Sequence, residues 1–415
     1  MTDRSFSSML NEYLPMDLLK EELIKRDYIL TAVEKDDNYK NSKIIIPFKA
    51  AGASSVSFGA LTDSTDIAQS KYVRGEVNGY KELWGSMKFD HRDILDHSGK
   101  VREQTFLKML PDTIEDFSQY MKEVVSVALS SNAYFAKATD GTNAATGIFV
   151  VNKIERFNLG QKCMIDDNNS SPLAVYVIAI NLNTSEVTFS LSRDGVAADL
   201  SAYTVAQVAV FYHPGVASAS DTFSSLRGML LSAANGGDST IHGVSKLAYP
   251  FTQAINVSGS SISASNILEK LFDAWSEVRV KGRGSANEIL VSYKHFGSIM
   301  KSVENTKSPF KVSEGSRKAS IYGWTSIEIM QVATNTSLKI VGIQELDDDV
   351  IFFIDWKSFK FYSNGFFRQR TGPEGQKYFE VRGTTGYAYI LDISLFGEFT
   401  CHRPGANGVV YGVSY

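Results

Sequence analysis

The chain has 415 residues, of which 43% are hydrophobic and 12% aromatic, with a formal net charge of −4. That length holds about two or three domains, and the near-neutral charge balance argues against a dedicated nucleic-acid or anionic-membrane binder. The two cysteines, Cys163 and Cys401, make neither a disulfide framework nor a zinc knuckle. The start, MTDRSFSSMLNEYLP, lacks a signal-peptide pattern. No apolar run reaches the roughly 18 residues that span a bilayer. The expectation is a soluble protein of a reducing compartment, with no membrane partner.

From Pro15, PMDLLKEELIKRDYI sets Leu18, Leu19, Leu23 and Ile24 on one stripe, with Asp17, Glu21 and Glu22 towards the positive end of the helix dipole. An amphipathic arm helix that needs a partner surface is expected. IIIPFKAAGASSVSFGAL reads as a short strand and a loop, with Pro47 disfavouring a central strand position. KYVRGEV and LWGSMKFDH alternate with period two around the turn signal NGY, which predicts a two-stranded ribbon too small to stand alone. Pro111 opens a helix through PDTIEDFSQYMKEVVSVALSS, where Ile114, Phe117, Met121, Val124 and Ala128 make one apolar stripe.

Residues 148–214 form a compositional island. IFVV, QKCMID, LAVYVIAIN, EVTFSLS and VAQVAVFYH are β-rich runs divided by turn residues, which predicts an inserted small barrel or sandwich. LAVYVIAI reads as a buried strand. After the linker ASASDTFSS, helices are predicted at LRGMLLSAA and SASNILEKLFDAWSEVRV, the latter capped by Ser263 or Ser265. EILVSY is then a buried strand and KHFGSIMKSV a short helix. Strands fill the remainder, at SIEIMQV, LKIVGIQEL, VIFFIDW, FKFYS, YFEVRG, YAYILDI and EFTCHRP.

FDHRDILDH, from Phe89 to His97, gathers Asp90, His91, Asp93, Asp96 and His97. Metal ligands fall at i, i+3 or i+4 on a helix and at i, i+2 on a strand. The two histidines, six apart, match neither, so a charged surface or subunit contact is the better reading. LDDDV, Asp347 to Asp349, lacks the alternating pattern and downstream Glu of a calcium loop and reads as a solvated turn. KGRGS, Lys281 to Ser285, follows a helix without a P-loop ending and reads as a Gly-rich C-cap. No G-x-S-x-G elbow occurs. Cys401 and His402, adjacent on a strand, point to opposite faces. His213, His242 and His295 read as local hydrogen-bonding residues.

The order of these parts resembles the major capsid proteins of tailed bacteriophages, the Johnson fold. SKYVRGEVNGYKELWGSMKFDHRDIL resembles that family's extended E-loop and PDTIEDFSQYMKEVVSVALSS its spine helix. NILEKLFDAWSEVRVKGRGSANEILVSYKHFGSIMKSV and GWTSIEIMQVAT with VIFFIDWKSFKFYSNG resemble its A-domain, and GYAYILDISLFGEFTCHRPGANGVV its closing P-domain strand. The resemblance implies an α+β fold divided into an N-terminal arm (1–60), E-loop (61–104), spine helix and first P-domain part (105–147), inserted β-domain (148–216), A-domain (217–365) and second P-domain part (366–415).

It further implies a structural, non-enzymatic protein without a cofactor or catalytic residue. Such a protein self-assembles into hexamers and pentamers of an icosahedral shell around double-stranded DNA, which meets the inner face without sequence specificity. Scaffolding, portal and decoration proteins are partners of that family, the virion is its location, and assembly takes place in the host cytoplasm. Tyr72, Arg74, Glu76, Tyr80, Trp84, Phe89, Asp90, Arg92 and Asp93 are the candidate intersubunit contacts. An encapsulin-like compartment shell is the alternative within the fold. A metal-dependent hydrolase using Asp90, His91, Asp93, Asp96 and His97 is the alternative of a different class.

Overall fold

The computed structural model describes residues 27–36, 43–51, 71–79, 81–90, 103–131, 134–141, 143–166, 172–203, 210–213, 222–282, 286–305, 311–313, 326–331, 336–363, 367–369, 379–383 and 386–415. In chain order the elements begin with α1 (Tyr28–Ala32), β1 (Glu34–Asp36), β2 (Lys43–Ala51), β3 (Lys71–Asn78), β4 (Lys81–Asp90) and the long α2 (Glu103–Ser130). Strands β5 (Tyr134–Asp140), β6 (Ile148–Val151), β7 (Lys162–Asp166), β8 (Leu173–Asn181), β9 (Glu186–Ser190) and β10 (Val210–Tyr212) follow. Next come α3 (Leu226–Leu230), β11 (Thr240–Ile241), β12 (Val244–Ser245), β13 (Ile255–Ser258), α4 (Ile267–Gly282), β14 (Glu288–Ser292) and α5 (Tyr293–Asn305). The last group is β15 (Lys311–Ser313), β16 (Ser326–Gln331), β17 (Thr336–Ile343), β18 (Val350–Ile354), β19 (Phe359–Tyr362), β20 (Phe367–Gln369), β21 (Phe379–Gly383), β22 (Gly386–Cys401) and β23 (Gly408–Tyr411). Helices and sheets are both well represented, as the α+β expectation requires. The arm helix expected from Pro15 lies almost wholly outside the described residues.

The chain divides into two compact units, neither of them contiguous. The first comprises Met1–Thr31, Lys81–Ser225 and Ser363–Glu398; the second comprises Ala32–Tyr80, Leu226–Tyr362 and Phe399–Tyr415.

In the first unit β22 is the organising strand. It pairs antiparallel with β4, Leu391 opposite Met87 and Leu395 opposite Leu83, and with β20 and β21 along its other edge. YAYILDI and the EFTC of EFTCHRP, expected as two strands, are parts of this one strand, which ends at Cys401 and leaves His402, expected beside it on a strand, just past the end. Helix α2 covers the inner face of β4. Gly85 makes the approach possible, since a Cβ there would sit 2.6 Å from Phe117 Cζ and 2.7 Å from Met121 Sδ.

Of the predicted stripe, Met121 and Val124 are buried and Phe117 and Ala128 half-buried, while the Ile114 side chain lies outside the described residues. Val125, Val127 and Leu129 are buried too, so the C-terminal half of α2 is enclosed on more than one face. The helix starts at Glu103, which corrects the expectation that Pro111 opens it. Pro111 stands in the interior, with no N–H to offer the carbonyl of Leu107.

The island is a closed barrel, in the order β10-β5-β6-β9-β8-β7. Of the two expected forms the structure has the barrel, and it begins one strand earlier than the sequence signalled. β5 lies between β10 and β6, so the ring cannot close without it. Phe149, Phe189 and Phe211 fill the centre, the last two stacked at 4.9 Å, and Val127 of α2 joins the same cluster. β8 is not a uniformly buried run. Val175 and Val177 are buried, whereas Ala179 and Asn181, of the same parity, are exposed beyond a register shift between Val177 and Ala179.

The second unit is built on a seven-stranded sheet ordered β13-β23-β18-β14-β17-β16-β15. Leu271, Trp275 and Val278 of α4 and Ile299 of α5 pack with Ile289, Ile340, Phe353 and Val410 of the sheet in one core. Trp275 satisfies its indole by donating Nε1–H to the Ala286 carbonyl at 3.0 Å. The residue before α4 is Asn266, not Ser263 or Ser265; its Oδ1 accepts from Ser263 N–H at 2.7 Å.

The turn at Asp347–Asp349 is also not simply solvated. Buried Arg227 contacts buried Asp347 at 3.3 Å and forks onto Asp349 with two contacts of 2.7 Å. His295 Nε2 reaches the Asp348 carbonyl at 2.5 Å, and its Nδ1 lies 2.9 Å from the Tyr415 hydroxyl.

Candidate assembly interface

β3 does not pair with β4, as the NGY signal suggested. It pairs antiparallel with β2 in a two-stranded ribbon of the second unit, while β4 belongs to the sheet of the first. The register sets Ile45 opposite Glu76, Pro47 opposite Arg74 and Lys49 opposite Tyr72. Pro47 is tolerated because, among the described residues, only one edge of β2 is paired.

The inner face of the ribbon carries Ile44, Ile46 and Phe48, all buried. Gly75 leaves room for the Phe48 ring, whose Cε2 would lie 2.6 Å from any Cβ there. The outer face presents Lys43, Ile45, Pro47 and Lys49 from β2 with Tyr72, Arg74 and Glu76 from β3. Ile45 is 53% exposed and Tyr72 60% exposed, high for side chains of that size. Glu76 is bridged by Lys43 and, at 2.6 Å, by Arg74 Nε. The Lys43 hydrogen bond, with the charges of Arg74 and Lys43, holds its carboxyl below the usual range against a smaller opposing effect of burial.

On β4 the alternation puts Trp84, Ser86 and Lys88 outward and Met87 inward. Trp84 is 49% exposed and meets Phe396 edge-on at 6.3 Å, while Arg368 lies over Phe396 at 5.1 Å. Ser86 donates to Asp392 at 2.6 Å. Burial raises the Glu82 carboxyl, opposed by hydrogen bonding from Trp84 and Ser394 and by the charge of Arg368. Two aromatic rings, a guanidinium and a carboxyl thus share one wet β-surface, a composition suited to protein contact more than to catalysis. An open groove of about 880 Å³ beside it, lined by Lys88, Asp116, Tyr120, Glu123, Lys162 and Arg193, is mixed in charge.

Of the expected contact residues, Tyr72, Arg74 and Glu76 share the ribbon's outer face, and Trp84 stands on the outer face of β4. Phe89 has the opposite parity and is half-buried, and Asp90 is described only through its backbone pairing with Ala388. Tyr80, His91, Arg92, Asp93, Asp96 and His97 lie outside the described residues, so the geometry of the Asp/His cluster is not tested. Among the described residues no group of three or more His, Cys, Asp or Glu is placed to hold a metal. Ile45, Pro47, Phe396 and Arg368 also belong to these surfaces, without a sequence signal that marks them. The run of three isoleucines hid the outward parity of Ile45, and Phe396 and Arg368 meet Trp84 only through β22.

Four further reactive side chains among the described residues have local duties. Burial pushes the thiols of Cys163 and Cys401 up to about 12, leaving almost no thiolate at neutral pH. His213 stacks on Phe135 at 4.7 Å, and burial with the nearby Arg156 charge brings it down to about 4. His402 faces Tyr362 and Thr400.

No family model matches the chain, and no curated protein matches its sequence. Among solved structures the chain is similar to the capsid asymmetric unit of cyanophage A-1(L), at 9% identity over 92% of each chain with a TM-score of 0.48. It is similar to the capsid of a native GTA particle, at 10% identity over 92% of this chain and 89% of that one, TM-score 0.44. It is also similar to the capsid of Myoviridae phage XM1, at 8% identity over 93% of this chain and 91% of that one, TM-score 0.39.

Proposed function

We propose that this chain is a shell-forming structural protein, a major capsid protein of the tailed-bacteriophage type, and not an enzyme. The observation that carries the proposal is the pair of exposed β-surfaces. Ile45, Tyr72 and Trp84 stand in solvent among charges of both signs on extended strands. Large aromatic side chains on wet strand faces are an association liability unless a partner covers them. Copies of the same chain are the partner that a closed symmetric assembly supplies.

On this reading the ribbon and β4 carry contacts between copies, aromatic side chains supplying adhesion and charges setting register. The copies form hexamers and pentamers of an icosahedral virion shell, assembled in the host cytoplasm with scaffolding, portal and decoration proteins. With a net charge of −4, the chain encloses double-stranded DNA without reading its sequence. The order of segments supports the same reading.

The test is the double variant Trp84→Ala with Arg74→Glu. Both side chains are exposed, so the circular dichroism of the subunit should stay unchanged while rings and shells disappear from electron micrographs. Normal shells from the double variant, or a parent protein that stays monomeric at high concentration, would refute the proposal.

A further inference from the structure

Strands β11 and β12 are joined by a two-residue turn, His242-Gly243, with φ of 49° and 78°. Both residues are left-handed, the backbone of a type I′ hairpin, and His242 is buried. From this turn His242 touches three other parts of the second unit. Its carbonyl accepts from Glu76 N–H of β3 at 2.8 Å. Its ring lies parallel to Phe48 of β2, 7° between planes and 6.2 Å between centroids. Its Nε2 accepts from the buried Cys401 N–H at the end of β22, at 3.0 Å.

We propose that His242 is a proton-operated latch: neutral, it fastens the β2–β3 ribbon to the body of its unit, and protonated it releases the ribbon.

The chemistry follows from the acceptor role. A donor at Nε2 requires a lone pair there, so the ring is neutral with its proton on Nδ1. An imidazolium has no lone pair, and protonation would leave the Cys401 N–H facing another donor in a buried place. The charged neighbours make this worse. Lys246, just beyond the turn, has its ammonium held by the carbonyls of Gly228 and Leu231 at 2.6 Å and 2.7 Å, with Asp238 near it. His402 acts from just past the end of β22, beside the neutral Cys401 thiol. The ribbon's nearest carboxylate, Glu76, is engaged on the opposite face by Lys43 and Arg74. Phe48 offers little compensation, because its ring lies just past the roughly 6 Å at which cation–π attraction counts.

Burial first, then the charges of His402 and Lys246, brings His242 down to about 3 from an ordinary 6.5. A released ribbon would let it titrate near its ordinary value. The released state therefore binds the extra proton between these limits. The latch is at full strength above about pH 6.5, and its opening constant rises about tenfold for each pH unit below that, down to about pH 3. The inference concerns the ribbon alone and holds whether or not the chain builds a shell.

Hydrogen exchange of the full-length protein, corrected for the intrinsic pH dependence of exchange, tests it. Peptides covering 43–51 and 71–78 report the ribbon, and 350–354 in the central sheet reports unfolding of the unit. Between about pH 6.5 and 4.5, ribbon protection should fall about 50-fold while β18 keeps its own. His242→Asn should remove the pH dependence, because asparagine suits the left-handed turn and does not titrate. Ribbon protection that is flat with pH, an equal fall in β18, or an unchanged slope in His242→Asn would each overturn the latch. Should His242→Asn fail to fold, Phe48→Leu decides the matter. It should raise ribbon exchange at every pH and keep the tenfold slope, and loss of that slope would count against the latch.

Discussion

Replacing Arg227 with methionine should lower the stability of the second unit sharply, and the two carboxylates it holds show where the cost arises. The short forked contacts, at 2.7 Å, go to Asp349, whose side chain is 46% exposed. Water can take over there, so an Asp349→Asn change should cost about 1 kcal/mol or less. The longer contact, 3.3 Å, goes to Asp347, which is only 5% exposed. Removing one partner of a buried pair strands the other charge and typically costs about 3–5 kcal/mol. Asp347 has further interactions, which places Arg227→Met near the low end, about 3 kcal/mol.

Differential scanning calorimetry of the protein measures this. About 1 kcal/mol shifts the midpoint by roughly 2–4 °C in a domain of about 150–250 residues, so a fall of roughly 6–12 °C is expected for Arg227→Met. The difference should survive in about 1 M salt, since buried charges are poorly screened. A melting point within about 2 °C of the parent, or an Asp349→Asn variant as damaged as Arg227→Met, would refute the reasoning.

Met121→Ala should cost more than Phe117→Ala although the side chain is smaller. Met121 is buried at 2% exposure and Phe117 only half-buried, so about 3 kcal/mol against about 2 kcal/mol is expected from urea midpoints. Replacing residues 134–213 by a Gly/Ser linker should leave the remaining sheets folded by circular dichroism. Starting the excision at residue 148 should give aggregates, because β5 then keeps neither barrel neighbour. Both thiols, held up at about 12, should resist a thiol reagent near neutral pH in the folded chain and react fully once urea is added. Rapid labelling of either in the native protein would show that its burial is wrong.

Much of the architecture was legible because it rests on local pattern. The 3.6 period of Phe117, Met121 and Val124 marked α2, and alternation with turn residues marked the strands of the barrel. What stayed hidden depends on partners distant in sequence. YFAKATD, the segment of β5, has no strong alternation, and only its place between β6 and β10 makes it a barrel strand. The NGY turn favoured a hairpin, yet the isoleucine-rich edge of β2 competed for β3 and β22 for β4. Three consecutive aspartates look like a solvated turn until Arg227, far away in sequence, arrives beside them. On the candidate interface, the parity of Tyr72, Arg74 and Trp84 could be read from period two, whereas the Trp84–Phe396–Arg368 cluster required the register of β22.

The interleaving of the two units has a consequence for the timing of synthesis. The chain passes from one unit to the other after Thr31, Tyr80, Ser225, Tyr362 and Glu398. The seven-stranded sheet has β23 at an inner position, between β13 and β18. That sheet therefore lacks an inner strand until Gly408–Tyr411 has left the ribosome, and the first unit waits for β22 in the same way. Neither unit can finish folding while the chain is still growing through its middle. A nascent chain thus carries half-made sheets for most of its translation, with open strand edges in need of chaperone cover.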